Sequence, residues 1–249
     1  MSAVTRKTSG VVMVMAAGKG MRMRPLTRYR PKPLVEVAGR TLIDRTLDRV
    51  VDAGLKHAVV NLHSRADMLR RHLNKRDDID VQFSDETAAL LETGGGVRKA
   101  LKKLRDNQGR ARPFFVANSD ALWLDRTTNV FNRLADAWDG RRMDALLLLH
   151  PKSKAIGYER AGDYRKSQDG RLKRIIGTPA PYVYTGIQIL HPRTFEGTPR
   201  GAFSSVRLFD AAEAAGRLFG VVHDGTWMDV GTPNSVVLAE AELARLKQP

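Results

Sequence analysis

Short apolar runs alternate with amphipathic stretches along the first 150 residues of the chain. The run at 11–16 is uniformly apolar and stops at a glycine, which is typical of a strand that is buried on both faces. The pattern predicts strands over 11–16, 58–61, 80–83, 114–117 and 145–149. It predicts helices over 41–54, 64–73 (capped by Ser64), 97–104 and 124–138, with a glycine-rich turn over 93–96. Strands that alternate with helices favour right-handed βαβ crossovers and a mostly parallel sheet.

The remainder of the chain has a different pattern, in which short strands are separated by turns. We predict strands over 158–160, 172–176 and 183–190, followed by helices over 209–218 and 235–246. The sequence contains no internal repeat, low-complexity tract or linker. It therefore predicts a single compound α/β domain over residues 1–249.

The charge balance indicates what kind of partner the chain attracts. Forty-two Lys and Arg residues stand against 27 Asp and Glu residues, which gives a net charge of +15. Such a surplus attracts nucleic acid, acidic lipid or phosphorylated small molecules. One cluster lies between Gly18 and Val35, where prolines and glycines indicate a shaped loop. A second runs from Arg98 to Arg112, interrupted only by Asp106, and is interpreted as a solvated basic surface.

Cysteine content and hydropathy exclude several classes of protein. The chain has no cysteine, which excludes disulfides, thiolate metal sites and a cysteine nucleophile, and fits a reducing compartment. No run approaches the roughly 18 apolar residues of a membrane span. Arg6 and Lys7 precede the apolar run at 11–16, as basic residues precede the apolar region of a secretory signal. The run is short, however, and a basic glycine-rich segment follows it, which is not typical of such a signal. We expect a cytoplasmic protein with no membrane partner.

Candidate chemistry falls at the predicted carboxyl ends of strands, where open parallel sheets bind ligands. The glycine-rich basic loop that begins at Ala16 follows the first strand, and its backbone N–H groups could approach phosphate oxygens. It lacks the ending of a P-loop and is not a full dinucleotide fingerprint. Asp120 and Asp229 also end apolar runs. Two such carboxylates could share a magnesium ion, although a lone strand-end aspartate more often caps a helix or turn.

The segment over 16–34 resembles the signature of the sugar-1-phosphate nucleotidylyltransferases. It consists of AAGKGMRMRPLT at 16–27 and RYRPKPL at 28–34, while NSD at 118–120 and WMDVGT at 227–232 resemble the two metal-aspartate motifs of that family. The resemblance covers nearly the entire chain. LETGGG at 91–96 and the short length are most similar to bacterial N-acetylmuramate-1-phosphate uridylyltransferases of cell-wall recycling. Mannose-1-phosphate guanylyltransferases are the alternative.

The resemblance implies a fold and a reaction. The fold is a Rossmann-like, mostly parallel sheet flanked by helices, with a smaller β-rich part, of the nucleotide-diphospho-sugar transferase type. Residues 1–150 would mainly bind nucleotide and residues 151–235 mainly sugar. In the reaction, a sugar 1-phosphate oxygen attacks the α-phosphorus of a nucleoside triphosphate, and pyrophosphate leaves. UTP is favoured, with N-acetylmuramate 1-phosphate as the sugar and Mg²⁺ as the cofactor.

Residue roles follow from the matching positions. Arg22, Lys32 and Asp120 would be catalytic, and Asp120 and Asp229 would bind the metal. The nucleotide would be held by Ala16, Ala17, Gly18, Gly20, Met21, Arg22, Lys32, Glu86, Thr93, Gly94 and Gly95, with Glu86 and the turn at 93–95 facing the base. The sugar pocket would be lined by Asn118, Gly162, Tyr184 and Gly186.

The chain departs from the family pattern at a few positions. Met21 replaces a polar residue, and Ser119 replaces a glycine before the metal aspartate. Larger relatives carry a late lysine that binds the sugar phosphate, and Lys173 is the nearest candidate here.

Two other hypotheses compete with the hypothesis that the chain is an active nucleotidylyltransferase. A basic nucleic-acid-binding protein would use the net charge, but aromatic residues make up only 6% of the chain and no reader motif is present. We therefore expect no nucleic-acid partner. A catalytically inactive homologue is disfavoured because Arg22, Lys32, Asp120 and Asp229 are all retained. The sequence does not indicate an oligomeric state.

Overall fold

The computed structural model describes residues 3–246. This part of the chain contains seven α-helices: α1 (Ala3–Lys7), α2 (Leu42–Asp52), α3 (Ala66–Leu73), α4 (Glu92–Ala100), α5 (Val130–Ala137), α6 (Val206–Ala214) and α7 (Pro233–Arg245). It also contains thirteen strands: β1 (Val11–Met15), β2 (Glu36–Val37), β3 (Arg40–Thr41), β4 (His57–Leu62), β5 (Asp80–Asp85), β6 (Phe114–Asn118), β7 (Ala121–Leu124), β8 (Ala145–Pro151), β9 (Tyr164–Lys166), β10 (Leu172–Arg174), β11 (Tyr182–Leu190), β12 (Leu218–Val222) and β13 (Thr226–Asp229).

Nine of the strands form one sheet. Seven of them follow the order β10-β9-β11-β6-β1-β4-β5, and β8 connects β11 to β12. Strands β6, β1, β4 and β5 run parallel to one another, whereas β11 runs antiparallel to both β6 and β8. The predicted α/β fold with a mostly parallel sheet is confirmed. Because β11 pairs with β6, the later part of the chain shares this sheet with the earlier part.

Helices cover both faces of the sheet, which explains the continuous apolar run in β1. Val12 and Val14 pack into a core that includes α2 and α5. Val11 and Met13 point to the other face and pack with α4 and α6. Successive strand residues face opposite sides, so a strand with helices on both sides needs apolar residues at every position.

The helix predicted over 124–138 forms only over Val130–Ala137, and Leu124 is the last residue of a strand. Residues Ala121–Leu124 form β7, which pairs with β13, and the helix begins only at Val130. The Asn129 side chain accepts a hydrogen bond from the Phe131 N–H at 2.9 Å and thereby caps α5. The predicted start of the helix was wrong because the apolar end of a strand close to a helix has no distinct period in a short window.

The predicted glycine-rich turn at 93–96 is instead part of α4, which begins at Glu92 and ends at Ala100. Glycines are unfavourable inside a helix, but here close packing requires them. A β-carbon on Gly95 would lie 2.2 Å from the Gly201 carbonyl oxygen, and one on Gly94 would lie 2.4 Å from the Phe203 ring. Tertiary contact therefore overrides the local preference.

Smaller differences occur at the remaining boundaries. No strand forms over 158–160, where the Tyr158 hydroxyl donates to the Asp163 carboxylate at 3.0 Å. Arg65, not Ser64, holds the cap position of α3. The last helix before β12 is α6, which ends at Ala214, so that Leu218 already lies in β12 beside β8. Within residues 3–246, no helix has the length and apolar content needed to cross a membrane.

Candidate active site

Two aspartates that are far apart in the sequence are brought together by the antiparallel β7–β13 ribbon. Asp229 at the end of β13 pairs with Ala121, and the Val230 N–H donates to the Asp120 carbonyl oxygen at 3.1 Å. Asp120 itself follows β6, which lies next to β1 in the large sheet. The backbone therefore fixes both aspartates at the carboxyl end of the sheet.

Lys32 forms an ion pair with one of these carboxylates. Its Nζ donates to Asp120 Oδ2 at 2.9 Å, and its side chain is only 11% exposed. A short 3₁₀ turn, Lys32–Leu34, positions the residue between Pro31 and the buried Pro33. A proline on each side restricts the backbone at Lys32, and the ion pair with Asp120 orients the ammonium group.

The electrostatic environment of Asp229 reflects its neighbours. Burial is the main cause that raises its pKa, and the negative charge of Asp120 raises it further. The positive charges of Lys32, Arg160 and Arg22 partly offset this effect. A carboxylate that is held near a like charge favours binding a cation or a proton.

Arg22 approaches the same pair of carboxylates from the loop that follows β1. It lies in the short 3₁₀ turn Met21–Met23. A β-carbon placed on Gly231 would be 3.4 Å from Asp229 Oδ1 and 3.5 Å from Arg22 Nη2. The guanidinium of Arg22 and the carboxylate of Asp229 therefore both lie near Gly231.

A pocket of about 190 Å³ opens at the carboxyl ends of β1, β4 and β6; we call it the strand-end pocket. Five of the eleven predicted nucleotide residues line it, together with Asp120, Asn118 and several residues that the sequence did not single out: Met15, Ala16, Ala17, Gly18, Lys32, Pro33, Asn61, Leu90, Glu92, Thr93, Asn118, Ser119 and Asp120. The structure thus brings the glycine-rich loop, the lysine and an aspartate together around one space.

Asn61 at the end of β4 holds the first residue of the glycine-rich loop. Its side-chain Oδ1 accepts a hydrogen bond from the Ala16 N–H at 2.6 Å. Its amide Nδ2 donates to Glu86 Oε1 at 2.8 Å, and Glu86 Oε2 accepts from the Leu91 N–H at 3.1 Å. Sequence reasoning assigned no role to Asn61. A polar residue at the carboxyl end of an otherwise apolar parallel strand was the available signal.

Glu86 is only 1% exposed and lies behind the pocket. Both of its carboxylate oxygens accept hydrogen bonds from the protein. The structure therefore places this side chain where it supports Asn61, whereas the sequence had suggested that it faces the base. Thr93 lines the strand-end pocket, but Gly94 and Gly95 are buried against 201–203. Of the residues 93–95, Thr93 is therefore the one that lines the strand-end pocket.

A broader groove of about 890 Å³ lies beside the glycine-rich loop. Its lining is strongly basic and includes Met21: Lys19, Met21, Arg24, Pro25, Thr27, Arg28, His63, Ser64 and Arg65. Gly20 adopts φ +63, and a β-carbon there would lie 3.0 Å from both Lys32 Cβ and Thr27 Cγ2. The absence of a side chain at Gly20 lets the loop close against Lys32.

The predicted sugar residues lie on and around β11. Gly186 adopts φ +86, and a β-carbon there would lie 2.8 Å from Asn118 Nδ2, so these two residues are in close contact. Tyr184 lines a separate pocket of about 200 Å³. Burial raises the pKa of its phenol well above the ordinary value, which keeps the hydroxyl protonated.

Two residues of the Tyr184 pocket were missed by the sequence analysis, namely Arg160 and Asp163. Asp163 Oδ2 accepts from the Tyr184 N–H at 2.9 Å and from the Tyr158 hydroxyl at 3.0 Å. No sequence signal marks them, because they follow an irregular segment. Gly162 lies between them with φ +98, and a β-carbon there would be 2.2 Å from the Ala180 carbonyl oxygen. Gly162 therefore serves the close packing of this segment.

Lys173 does not line the Tyr184 pocket. Its ammonium pairs with Glu213 Oε1 at 2.9 Å, and its side chain is 75% exposed. The neighbouring Arg174 does line the pocket, although Asp210 accepts from its guanidinium Nε at 2.7 Å.

The donor set at the ribbon suits a hard divalent cation. Among residues 3–246, no group of three or more His, Asp or Glu side chains is placed to hold a metal. Asp120 and Asp229 together provide two carboxylates. Mg²⁺ is commonly bound by one or two carboxylates, with the other positions filled by water and substrate phosphate oxygens. The two aspartates fit such an ion.

Comparisons with known proteins identify the family of the chain. The model of the family described as nucleotidyl transferase matches residues 11–245. The chain is 43% identical to the N-acetylmuramate alpha-1-phosphate uridylyltransferase of Caulobacter vibrioides, over 94% of this chain and 97% of that protein. It is 30% identical to the protein of the same name from Neisseria meningitidis serogroup B, over 88% of this chain and 92% of that protein.

A solved structure, that of HddC from Yersinia pseudotuberculosis complexed with GMP-PN, shares the fold. Its TM-score is 0.73 at 20% identity, and the match covers 94% of this chain and 99% of that one. A putative glucose-1-phosphate thymidylyltransferase from Bacillus anthracis matches with a TM-score of 0.74 at 16% identity. The chain belongs to the nucleotidyl transferase family.

Proposed function

We propose that the protein transfers the uridylyl group of UTP to N-acetylmuramate 1-phosphate, forming UDP-N-acetylmuramate and releasing pyrophosphate. The observation that carries the reaction type is the convergence of Lys32, Asp120, Asp229 and Arg22 at the carboxyl end of the sheet. The choice of substrates is supported by the 43% identity to the Caulobacter uridylyltransferase along nearly the whole of both chains.

The chain needs no covalent nucleophile for this reaction. The sugar phosphate oxygen forms a bond to the α-phosphorus while the bond to the bridging oxygen of the leaving pyrophosphate breaks. Positioning and charge neutralisation supply most of the catalysis in such transfers. Lys32 is nearly buried, so its charge would act on the α-phosphate with little screening by water.

The glycine-rich loop would bind the nucleotide through its backbone. Ala16, Ala17 and Gly18 line the strand-end pocket, and Asn61 fixes the N–H of Ala16. The triphosphate tail would extend towards the basic groove. Arg22, at the start of that path, would neutralise the departing pyrophosphate.

Asp120 and Asp229 would hold the Mg²⁺. When bound, the ion would neutralise charge on the triphosphate and help to align it for attack. Lys32 pairs with Asp120 in the structure, so the lysine would remain beside both the metal ligands and the phosphate.

The sugar would lie between Asn118 and the Tyr184 pocket. Tyr184 and Gly186 belong to β11, and Arg160 provides a cationic group near Asp229. In this arrangement residues 1–150 mainly bind nucleotide and residues 151–235 mainly bind sugar. We further propose that the protein acts in the cytoplasm, in the recycling of cell-wall sugars.

A substrate panel tests the proposal. Purified protein is incubated with each of four nucleoside triphosphates and with several sugar 1-phosphates in the presence of Mg²⁺, and pyrophosphate release is measured. We expect the highest kcat/KM with UTP and N-acetylmuramate 1-phosphate. A preference for GTP and mannose 1-phosphate would overturn the substrate assignment in favour of a guanylyltransferase. Absence of release with every pair would overturn the enzymatic function.

A further inference from the structure

The structure contains a second cavity, at the end of the sheet opposite the strand-end pocket. It has a volume of about 700 Å³ and lies beside Val11, His57 and Asp80, which are the first residues of β1, β4 and β5. We call it the amino-end cavity. Strand β1 separates it from the glycine-rich loop by five residues, a distance of roughly 15 Å.

The lining of the amino-end cavity is strongly basic. Two carboxylates, Asp80 and Asp106, face six cationic side chains, which are Arg6, Lys56, Lys103, Arg105, Arg110 and Arg112. Four of these cations belong to the basic stretch that the sequence analysis interpreted as a solvated surface. The fold instead brings them together with Arg6 and Lys56 around one concave space.

The two carboxylates are already occupied by partners within the protein. Asp106 Oδ2 accepts from Arg110 Nε at 2.8 Å, and Asp106 Oδ1 accepts from the backbone N–H groups of Gln108 and Arg110 at 3.0 and 2.8 Å. Asp80 Oδ2 lies 3.2 Å from His57 Nδ1. Asp106 thus pairs with Arg110 and, at 4.0 Å, with Arg112, and two carboxylates leave most of the positive charge of the six cations unneutralised.

Several of the cations lack a partner. In the part of the chain that the structure describes, the side chains of Arg6, Lys56 and Lys103 take part in no hydrogen bond or ion pair. Arg105 donates to the Gly109 carbonyl at 2.9 Å and retains further N–H groups. A concave surface with an unneutralised positive charge concentrates anions.

The wall of the cavity is held in place by hydrogen bonds. Asp106 organises the loop that carries Arg105 and Arg110, through the contacts described above and through its own N–H, which donates to the Arg110 carbonyl at 3.1 Å. Arg112 donates to the Arg6 carbonyl oxygen and so ties the segment before β1 to this loop. The cationic groups are thus attached to an ordered backbone.

Size and lining indicate a small phosphorylated molecule. A volume of about 700 Å³ lies within the range of small-molecule sites, and Val11, Leu55 and Val59 provide an apolar part of the wall. The lining contains no Phe, Tyr or Trp, whereas proteins that bind single-stranded nucleic acid commonly stack bases on such side chains. Spatially separated cations suit a ligand with more than one phosphate group.

We propose that the amino-end cavity is a second binding site for a small molecule that carries a diphosphate group. This chemistry is shared by inorganic pyrophosphate, nucleoside di- and triphosphates and nucleotide sugars. The site is separate from the strand-end pocket and does not depend on the reaction proposed above.

Equilibrium dialysis with radiolabelled pyrophosphate tests the site. The test variant is Lys103→Gln/Arg105→Gln, which removes two exposed charges from the cavity. The matched control is Arg71→Gln/Lys75→Gln, which removes two exposed charges near the end of α3. Thermal unfolding of both variants verifies that they are folded.

We expect the test variant to bind one equivalent of pyrophosphate fewer than the wild type, with the affinity of that site reduced at least about tenfold. The control should bind as many equivalents as the wild type. Equal stoichiometry and affinity in the wild type and the test variant would overturn the proposal. Because the readout is a difference in stoichiometry, it is independent of whether the strand-end pocket also binds pyrophosphate or catalyses the proposed transfer.

Two further probes identify the ligand. UDP in place of pyrophosphate shows whether a nucleoside is accommodated, and tighter binding of UDP would indicate a nucleotide site. The second further probe is a 20-nucleotide RNA at about 0.15 M salt, which tests whether the surface binds nucleic acid. If RNA binds and the test variant loses that binding while pyrophosphate binding is unchanged, the surface is a nucleic-acid site and the proposal is wrong.

Discussion

Replacement of a buried histidine next to the β7–β13 ribbon should change how the free energy of unfolding depends on pH. His223 and His150 are each 2% exposed, and their ring centroids are 5.8 Å apart. Within the described residues, both ring nitrogens of His150 and the Nδ1 of His223 have no hydrogen-bond partner. His223 Nε2 lies 3.3 Å from the Thr226 carbonyl oxygen, which is the geometry of a neutral ring that donates once. The substitution that tests this expectation is His223→Gln.

The size of the pH-dependent change in the free energy of unfolding follows from the pKa of His223. Burial, aided by the proximity of His150, lowers it from 6.5 to about 4. The unfolded chain therefore binds a proton as pH falls below 6.5, whereas the folded protein does not bind one until about pH 4. The free energy of unfolding consequently decreases as pH falls through this window. The loss attributable to His223 is about 2 kcal/mol at pH 5 and approaches about 3 kcal/mol below pH 4.

Urea denaturation of the wild type and the variant at pH 7.5 and pH 5.0 measures this effect. At pH 7.5 both imidazoles are neutral, so the difference between the two proteins reports only the packing and hydrogen-bond cost of the substitution. That difference should shift by about 2 kcal/mol in favour of the variant at pH 5.0. If the two proteins lose stability in parallel as pH falls, His223 is not held neutral by burial and the reasoning is wrong.

Three further predictions concern the candidate active site; steady-state kinetics measures their effects on activity, and urea denaturation measures the predicted effect on stability. Lys32→Ala should lower kcat/KM by about 10²-fold or more, which corresponds to about 3 kcal/mol. Lys32→Arg should not restore kcat/KM fully, since a planar guanidinium replaces a compact ammonium. Near-normal activity of the alanine variant would exclude the assigned role. Asp120→Asn combined with Asp229→Asn should cost far less than the product of the single losses, because both would act on one ion; losses that multiply would indicate independent roles. Glu86→Gln should destabilise the fold by about 1–3 kcal/mol, because the new amide N–H group must face a hydrogen-bond donor. It should also lower kcat/KM with UTP without changing the preference among bases. An altered base preference would show that Glu86 contacts the base.

The parallel part of the fold was largely predictable because its central strands are buried on both faces. Strands β1, β4, β6 and β8 are apolar at consecutive positions, and a glycine or polar residue ends each run. The β7–β13 ribbon was not predicted as a strand pair, although it brings Asp120 and Asp229 together. Its partners lie far apart in the sequence, and no local pattern specifies which distant strand an edge segment will contact.

The chemical identity of the site residues could be predicted, but their arrangement could not. Lys32, Asp120 and the glycine-rich loop are recognisable from their sequence context, and the structure places them together. Asn61 and Asp163 act through hydrogen bonds to backbone N–H groups that are 45 and 21 residues away in the chain. Such contacts depend on the final packing of the sheet and leave no periodic signal in the sequence.

The pairing of Asp120 with Asp229 is best explained by the backbone. Two carboxylates that repel each other do not associate through their side chains, and burial adds to the cost. The hydrogen bond from the Val230 N–H to the Asp120 carbonyl, and the ladder between β7 and β13, hold them together regardless of that repulsion. Lys32 compensates only part of the negative charge, because it pairs with Asp120 while the pKa of Asp229 stays raised. The fold therefore stores an unfavourable interaction at this position, and a divalent cation that bridges both carboxylates would relieve it. This relief gives a physical reason for metal affinity at a site with only two protein carboxylates.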